Sequence, residues 1–124
     1  MSGKKPKWDQ AQEALQASRV LLEEGLYRNC ISRAYYAMFD AAQALLKSDG
    51  YEAGTHKGVL VLLDKHYVKE NRMPAEVSQT LRQAFDARQL ADYSEDPVPR
   101  SDAEDAVQHA ERFLERIREH LDRE

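Results

Sequence analysis

The chain is most readily narrowed by what it has little of. Among its 124 residues there is one cysteine, Cys30. An intrachain disulfide framework is therefore excluded, which fits a reducing, cytoplasmic setting. Cys30 lies next to an apolar helical stripe and reads as a small buried hydrophobe rather than a reactive thiol. No apolar run approaches the roughly 20 residues of a membrane span. The opening Met-Ser-Gly-Lys-Lys-Pro-Lys is basic but lacks the apolar stretch of a signal peptide, so residues 1–7 read as a solvated tail. There is no excess of positive charge: the formal net charge is −4. That argues against a free-standing binder drawn to nucleic acid by bulk electrostatics, while leaving room for a locally basic cleft. The five glycines and four prolines fall at or near expected chain breaks, with Gly58 the exception. Gly-rich phosphate loops and nucleophile elbows are missing. His66, His109 and His120 are scattered without metal-ligand spacing, so no metal or cofactor is expected.

What is present is helical periodicity. With 42% hydrophobic and 32% charged residues, the chain suits one folded domain with a single core, here residues 8–124. A first helix is expected over about 8–24, closed by Gly25, and a second over about 27–47, closed by Asp49-Gly50. Thr55 is a suitable N-cap for a third helix carrying Val59, Leu60, Leu62, Leu63 and Tyr67; composition alone would also allow a strand over 59–63, and the cap and the helical neighbours favour helix. Asn71-Arg72-Met73-Pro74 breaks the chain. Pro74 suits the first turn of a fourth helix bearing Val77, Leu81, Ala84 and Phe85, which ends before Pro97. Ser101 to Glu104 has the spacing of a capping box and opens a fifth helix, with Ala103, Ala106, Val107, Ala110, Phe113, Leu114, Ile117 and Leu121 on one face. No repeat or second domain is visible. The class is all-α, an up-and-down bundle of four main helices and one short one.

Several polar residues fall where chemistry is conceivable. Arg88 continues the apolar stripe set by Val77, Leu81 and Ala84, and a charge there must be paired or face a cleft. An i,i+4 pair with Asp92 is the plainer account. Arg33, Tyr36 and Asp40 share one side of the second helix. They form either a solvated charged face or the lining of a cleft. Tyr35 lies on the apolar stripe and is expected in the core. His56 and Lys57 sit at the predicted start of the third helix, where backbone N–H groups favour anions.

The segment Ser-Arg-Ala-Tyr-Tyr-Ala-Met-Phe at 32–39, then Thr55-His56-Lys57-Gly58, then Arg88-Gln89-Leu90-Ala91-Asp92-Tyr93, then the closing helix, together resemble a HEPN domain. The resemblance spans about residues 8–121. It implies a homodimer with the arginine motifs of two chains facing a shared cleft, and a minimal nucleotidyltransferase as partner protein in a toxin–antitoxin-like system. Many members carry an arginine, four to six residues and a histidine, and cut RNA without a metal. Here Tyr93 stands where that histidine is expected, and a tyrosine with a pKa near about 10 is a poor base at neutral pH. The resemblance thus offers Arg88 and Tyr93 as catalytic residues. It offers Arg33, Tyr36, Asp40, His56, Lys57 and Asp92 as a nucleotide- or RNA-binding set, and Tyr93 as an acceptor of AMP from the partner. The alternative is a nucleotide-binding or interaction module that cuts nothing.

Overall fold

The computed structural model describes residues 5–123. Its elements are α1 (Lys5–Glu23), α2 (Tyr27–Ser48), α3 (His56–Leu63) running into a π-helical turn (Asp64–Val68), α4 (Glu76–Tyr93) and α5 (Arg100–Asp122). The architecture is the expected all-α bundle of four main helices and one short one, and no strand occurs among the described residues.

α2 is the central helix. Its alanines and long apolar side chains alternate at helical spacing, so that Ala34, Ala37, Met38, Ala41, Ala42, Leu45 and Leu46 are all buried. The small residues admit close neighbours, and α1, α4 and α5 pack around it. Ala11, Ala14 and Leu15 come from α1, Val77 and Leu81 from α4, and Phe113, Leu114 and Ile117 from α5. Ser18 is fully buried, and its hydroxyl donates to the Leu15 carbonyl at 2.6 Å, so its burial leaves no unmet donor. Cys30 is buried as expected, and burial pushes its thiol up to about 11, which keeps it protonated and unreactive.

The chain breaks follow local chemistry. Gly25 and Gly50 take the left-handed backbone (φ 78° and 86°) that stops α1 and α2. Asn71, at φ 57°, turns the chain out of the π-helical turn, a conformation asparagine tolerates better than most residues. Thr55 caps α3 as expected: its hydroxyl accepts from the Gly58 amide at 3.0 Å. A Cβ at position 58 would stand 3.0 Å from that same oxygen, so the one glycine placed inside a helix keeps the cap open.

Four local expectations change. Lys5, Pro6 and Lys7 form the first turn of α1 instead of belonging to a tail, while residues 1–4 lie outside the described residues. The third helix widens to π-form over Asp64–Val68, where the buried Tyr67 donates its hydroxyl to the Leu45 carbonyl at 3.4 Å and to the Asp49 carboxylate. Pro74 precedes α4, which begins at Glu76 after Ala75. The capping box at Ser101 does not form. Pro99, at φ −66°, is already set for helix entry and starts α5 early, so Ser101 falls inside the first turn and caps nothing.

Candidate phosphate-binding site

The site is assembled where α2, the start of α3 and the second half of α4 meet. Tyr35 is its centre. Its ring is buried, edge-on to Tyr36 (5.2 Å between centroids) and to Phe85 (5.7 Å), and stacked with Phe39 at 5.8 Å. His56 lies flat against Phe85, at 4.0 Å and 13° between planes. The residue expected to be plain core therefore joins three elements.

Its hydroxyl has a specific partner. Tyr35 Oη lies 3.1 Å from His56 Nδ1. Burial pushes the Tyr35 hydroxyl up to about 12, so it is a proton donor across the working pH range; Tyr36 and Asp40 add to this and Arg88 opposes it. Burial also lowers His56 below its ordinary value; Arg82 nearby adds to that and Asp86 opposes it. A neutral imidazole that accepts at Nδ1 carries its proton on Nε2. His56 is thereby set as an N–H donor on its other edge. The loop before it is held by Gln43, whose Nε2 donates to the Ala53 carbonyl at 2.8 Å.

Two arginines converge on one ring. The Arg33 guanidinium carbon lies 5.2 Å from the Tyr36 centroid, and that of Arg88 lies 5.1 Å from the same centroid and 5.7 Å from Tyr35. Arg88 Nε approaches Asp92 Oδ2 at 3.4 Å, the expected i,i+4 pair. The approach lies outside hydrogen-bond geometry, so Nε is buried with no hydrogen-bond partner. Arg88 is neither core nor free surface: its side chain is 23% exposed, held by two aromatic faces and one loosely placed carboxylate. Asp40 turns to Lys7, 3.8 Å away; burial raises its pKa, opposed by Lys7 and Arg33.

The structure thus brings together Arg33, Tyr36, Arg88 and Asp92, with His56 joined through Tyr35 and Phe85. Asp40 borders the group beside Arg33, with which it lines a surface depression. Lys57 is exposed at the start of α3. Tyr93, 80% exposed at the end of α4, lines a shallow depression with Phe85, Asp86, Gln89, Leu90 and Ser94, which Arg88 does not line. Sequence reasoning missed Tyr35 and Phe85 as members of the site. Both sit on apolar stripes, and only the placement of His56 against them reveals the second role. No group of three or more histidine, cysteine, aspartate or glutamate side chains among the described residues is arranged to hold a metal. No helix among them is long and apolar enough to cross a membrane.

A comparison with known families matches the HEPN domain over residues 7–120. A protein of Methanocaldococcus jannaschii, whose name marks it as a candidate toxin, is 33% identical over 111 residues, covering 90% of this chain and 83% of that one. A UPF0332 protein of Gloeobacter violaceus is 33% identical over 115 residues, covering 91% of each. A crystal structure of a protein from Thermus thermophilus superposes with a TM-score of 0.75 at 22% identity, covering 97% of this chain and 99% of that chain, which establishes likeness of fold.

Proposed function

The chain belongs to the HEPN domain family, and from that premise we propose that it is the HEPN component of a toxin–antitoxin-like pair that holds RNA or nucleotide phosphates at Arg88. One observation carries this reading. Two guanidiniums, from Arg33 and Arg88, converge on the Tyr36 ring, and the Nε of Arg88 is buried with its hydrogen unspent. The Arg88 side chain keeps 23% exposure, and the open part of its planar guanidinium can bind a phosphate through two parallel hydrogen bonds. Arg33 adds charge on the open side, and His56 offers the Nε2 hydrogen. The names of relatives as candidate toxins point the same way. A second copy of the chain, placing its own Arg88 opposite, would double the positive field of the cleft. A minimal nucleotidyltransferase is the proposed partner, with the exposed Tyr93 hydroxyl as the acceptor of AMP.

The geometry favours holding over cutting. Metal-independent cleavage of RNA needs a base to take the 2′-hydroxyl proton. Tyr93 is exposed and lines a depression that Arg88 does not share, and His56 has its free nitrogen protonated, so both are better donors than bases. The test is titration of a short fluorescent RNA by anisotropy, with a parallel digestion in chelator. Binding that is lost in Arg88→Ala, with intact RNA throughout, supports the reading. RNA binding unchanged in Arg88→Ala overturns it. Cleavage that disappears in the variant keeps the site and replaces the non-cutting form with a nuclease.

A further inference from the structure

On the α5 side of α4 lies a groove that shares only Tyr35 with the residues of this reading. It has a volume of about 390 Å³ and runs between α4 and α5 over the floor of α2. It exists because α4 turns alanines toward α5 there: Ala84, Ala87 and Ala91 recur at helical spacing and leave the space that longer side chains would fill. Ile31 and Met38 form its floor. At its lip Leu90 is 70% exposed, a large apolar side chain without cover. The far wall is the loop between α4 and α5, and it is preformed. Arg28 donates to the Ser94 carbonyl at 3.0 Å and to the Asp96 carbonyl at 3.2 Å, and Val98 packs against the Cys30 cluster.

The charge of the rim is one-sided. Asp96, Asp102 and Asp105 line the groove, and no lysine or arginine among the described residues does. Asp102 has an internal use in the first turn of α5, where it meets the positive end of the helix. Asp96 lies in the loop and Asp105 beyond the first turn, and neither is in an ion pair among the described residues. Apolar floor, exposed leucine and three carboxylates on one rim together define a complementary shape and charge. We infer that this groove docks an amphipathic segment of a partner protein, apolar on one face and carrying lysine or arginine along its edges. Leucine-sized side chains enter between Ala87 and Leu90, and the cations lie against Asp96, Asp102 and Asp105. Such a helix-in-groove contact leaves the Arg88 side of α4 open, so partner and phosphate occupy the molecule together.

The test uses the full chain and a designed peptide of about 18 residues, five turns of helix. Its leucines follow i, i+3, i+4, i+7 spacing and its other positions are lysine; a twin carries glutamate in place of lysine. Fluorescence anisotropy is expected to show the lysine peptide binding at least about tenfold more tightly than the twin. Asp96→Asn, Asp102→Asn and Asp105→Asn together should weaken it about fivefold or more. Glu13→Gln, Glu23→Gln and Glu115→Gln, which remove the same charge elsewhere, should leave it nearly unchanged. Ala87→Trp, checked for fold by circular dichroism, should block it by filling the groove. Equal binding of both peptides, or equal weakening by the two charge-matched triple variants, overturns the proposal. So does a wild-type dimer in sedimentation equilibrium that Ala87→Trp converts to monomer, because the occupant is then a second copy.

Discussion

The two flanks of α4 differ in chemistry although one helix supplies both. Toward α3, Arg88 and Asp92 lie among Tyr35, Tyr36 and His56, and three donors gather there: Arg88 Nε, the outer edge of His56, and the exposed Arg33. Toward α5, alanines open a groove with apolar walls and a carboxylate rim. Clustered donors suit an anion, and a rim of carboxylates suits a basic partner. The comparison teaches that the net charge of −4 describes neither surface. A negative chain can still offer one local site for phosphate, because Coulomb interactions beyond about 10 Å are screened at ordinary ionic strength.

The sharpest way to break this comparison is at Arg88. Arg88→Ala should weaken binding of a short RNA by about 2 kcal/mol, roughly thirtyfold, as expected for loss of hydrogen bonds to a charged group. Arg88→Lys should recover little of it, because a point charge does not reproduce the two-pronged contact. Ala87→Trp, one residue away on the other flank, should leave RNA affinity unchanged. If both variants weaken RNA to the same degree, the flanks are not independent and the division fails.

Thr55→Ala comes next. It removes the acceptor of the Gly58 amide and should cost about 1 kcal/mol in urea unfolding. Because His56 follows directly, RNA affinity should fall with it. Loss of stability without any loss of affinity would remove the start of α3 from the proposed phosphate-binding flank.

Tyr35→Phe is subtler. It keeps the ring contacts and deletes only the hydroxyl that His56 Nδ1 receives, so it should cost about 1 kcal/mol. The pH dependence isolates the imidazole. His56 is lowered from 6.5 in the folded chain, so the unfolded chain takes up the proton first as pH falls. The stabilisation tied to neutral His56 is thus fully present above about 6.5 and is lost on acidification toward the folded value. Wild type should lose stability between about pH 7.5 and 5.5 more steeply than His56→Gln. Parallel curves would mean that the imidazole is not held neutral by its surroundings.

The fold was largely legible because periodicity reports burial. The face of α5 from Ala103 to Leu121 is buried as its spacing demands, with Ala106 only partly covered, and Arg88, on an apolar stripe, does lie half-hidden with Asp92 beside it. The site was less legible because its members have two uses each. Tyr35 and Phe85 satisfy the apolar pattern, and nothing in that pattern says that a histidine from a distant cap will stack on one ring and bond the other's hydroxyl. The groove left an even fainter trace: alanines at 84, 87 and 91 read as helix formers, and the space they leave exists only once α5 is set against them.

Helix starts give the smallest predicted effect and the cleanest contrast between the flanks. Thr55 and Ser101 carry the same sequence signal, a hydroxyl residue ahead of an apolar-periodic run. At α3 nothing upstream competes, and the hydroxyl caps. At α5, Pro99 holds φ at −66° and begins the helix before Ser101 is reached, so the serine hydroxyl has no amide to accept from. Ser101→Ala should therefore change stability by less than about 0.5 kcal/mol, as for a surface substitution. A loss near about 1 kcal/mol would mean that α5 starts at Ser101 in solution. The groove wall from Ser94 to Pro99 would then be longer than the structure shows, and the carboxylate of Asp102 would be drawn back toward the helix end and away from the rim.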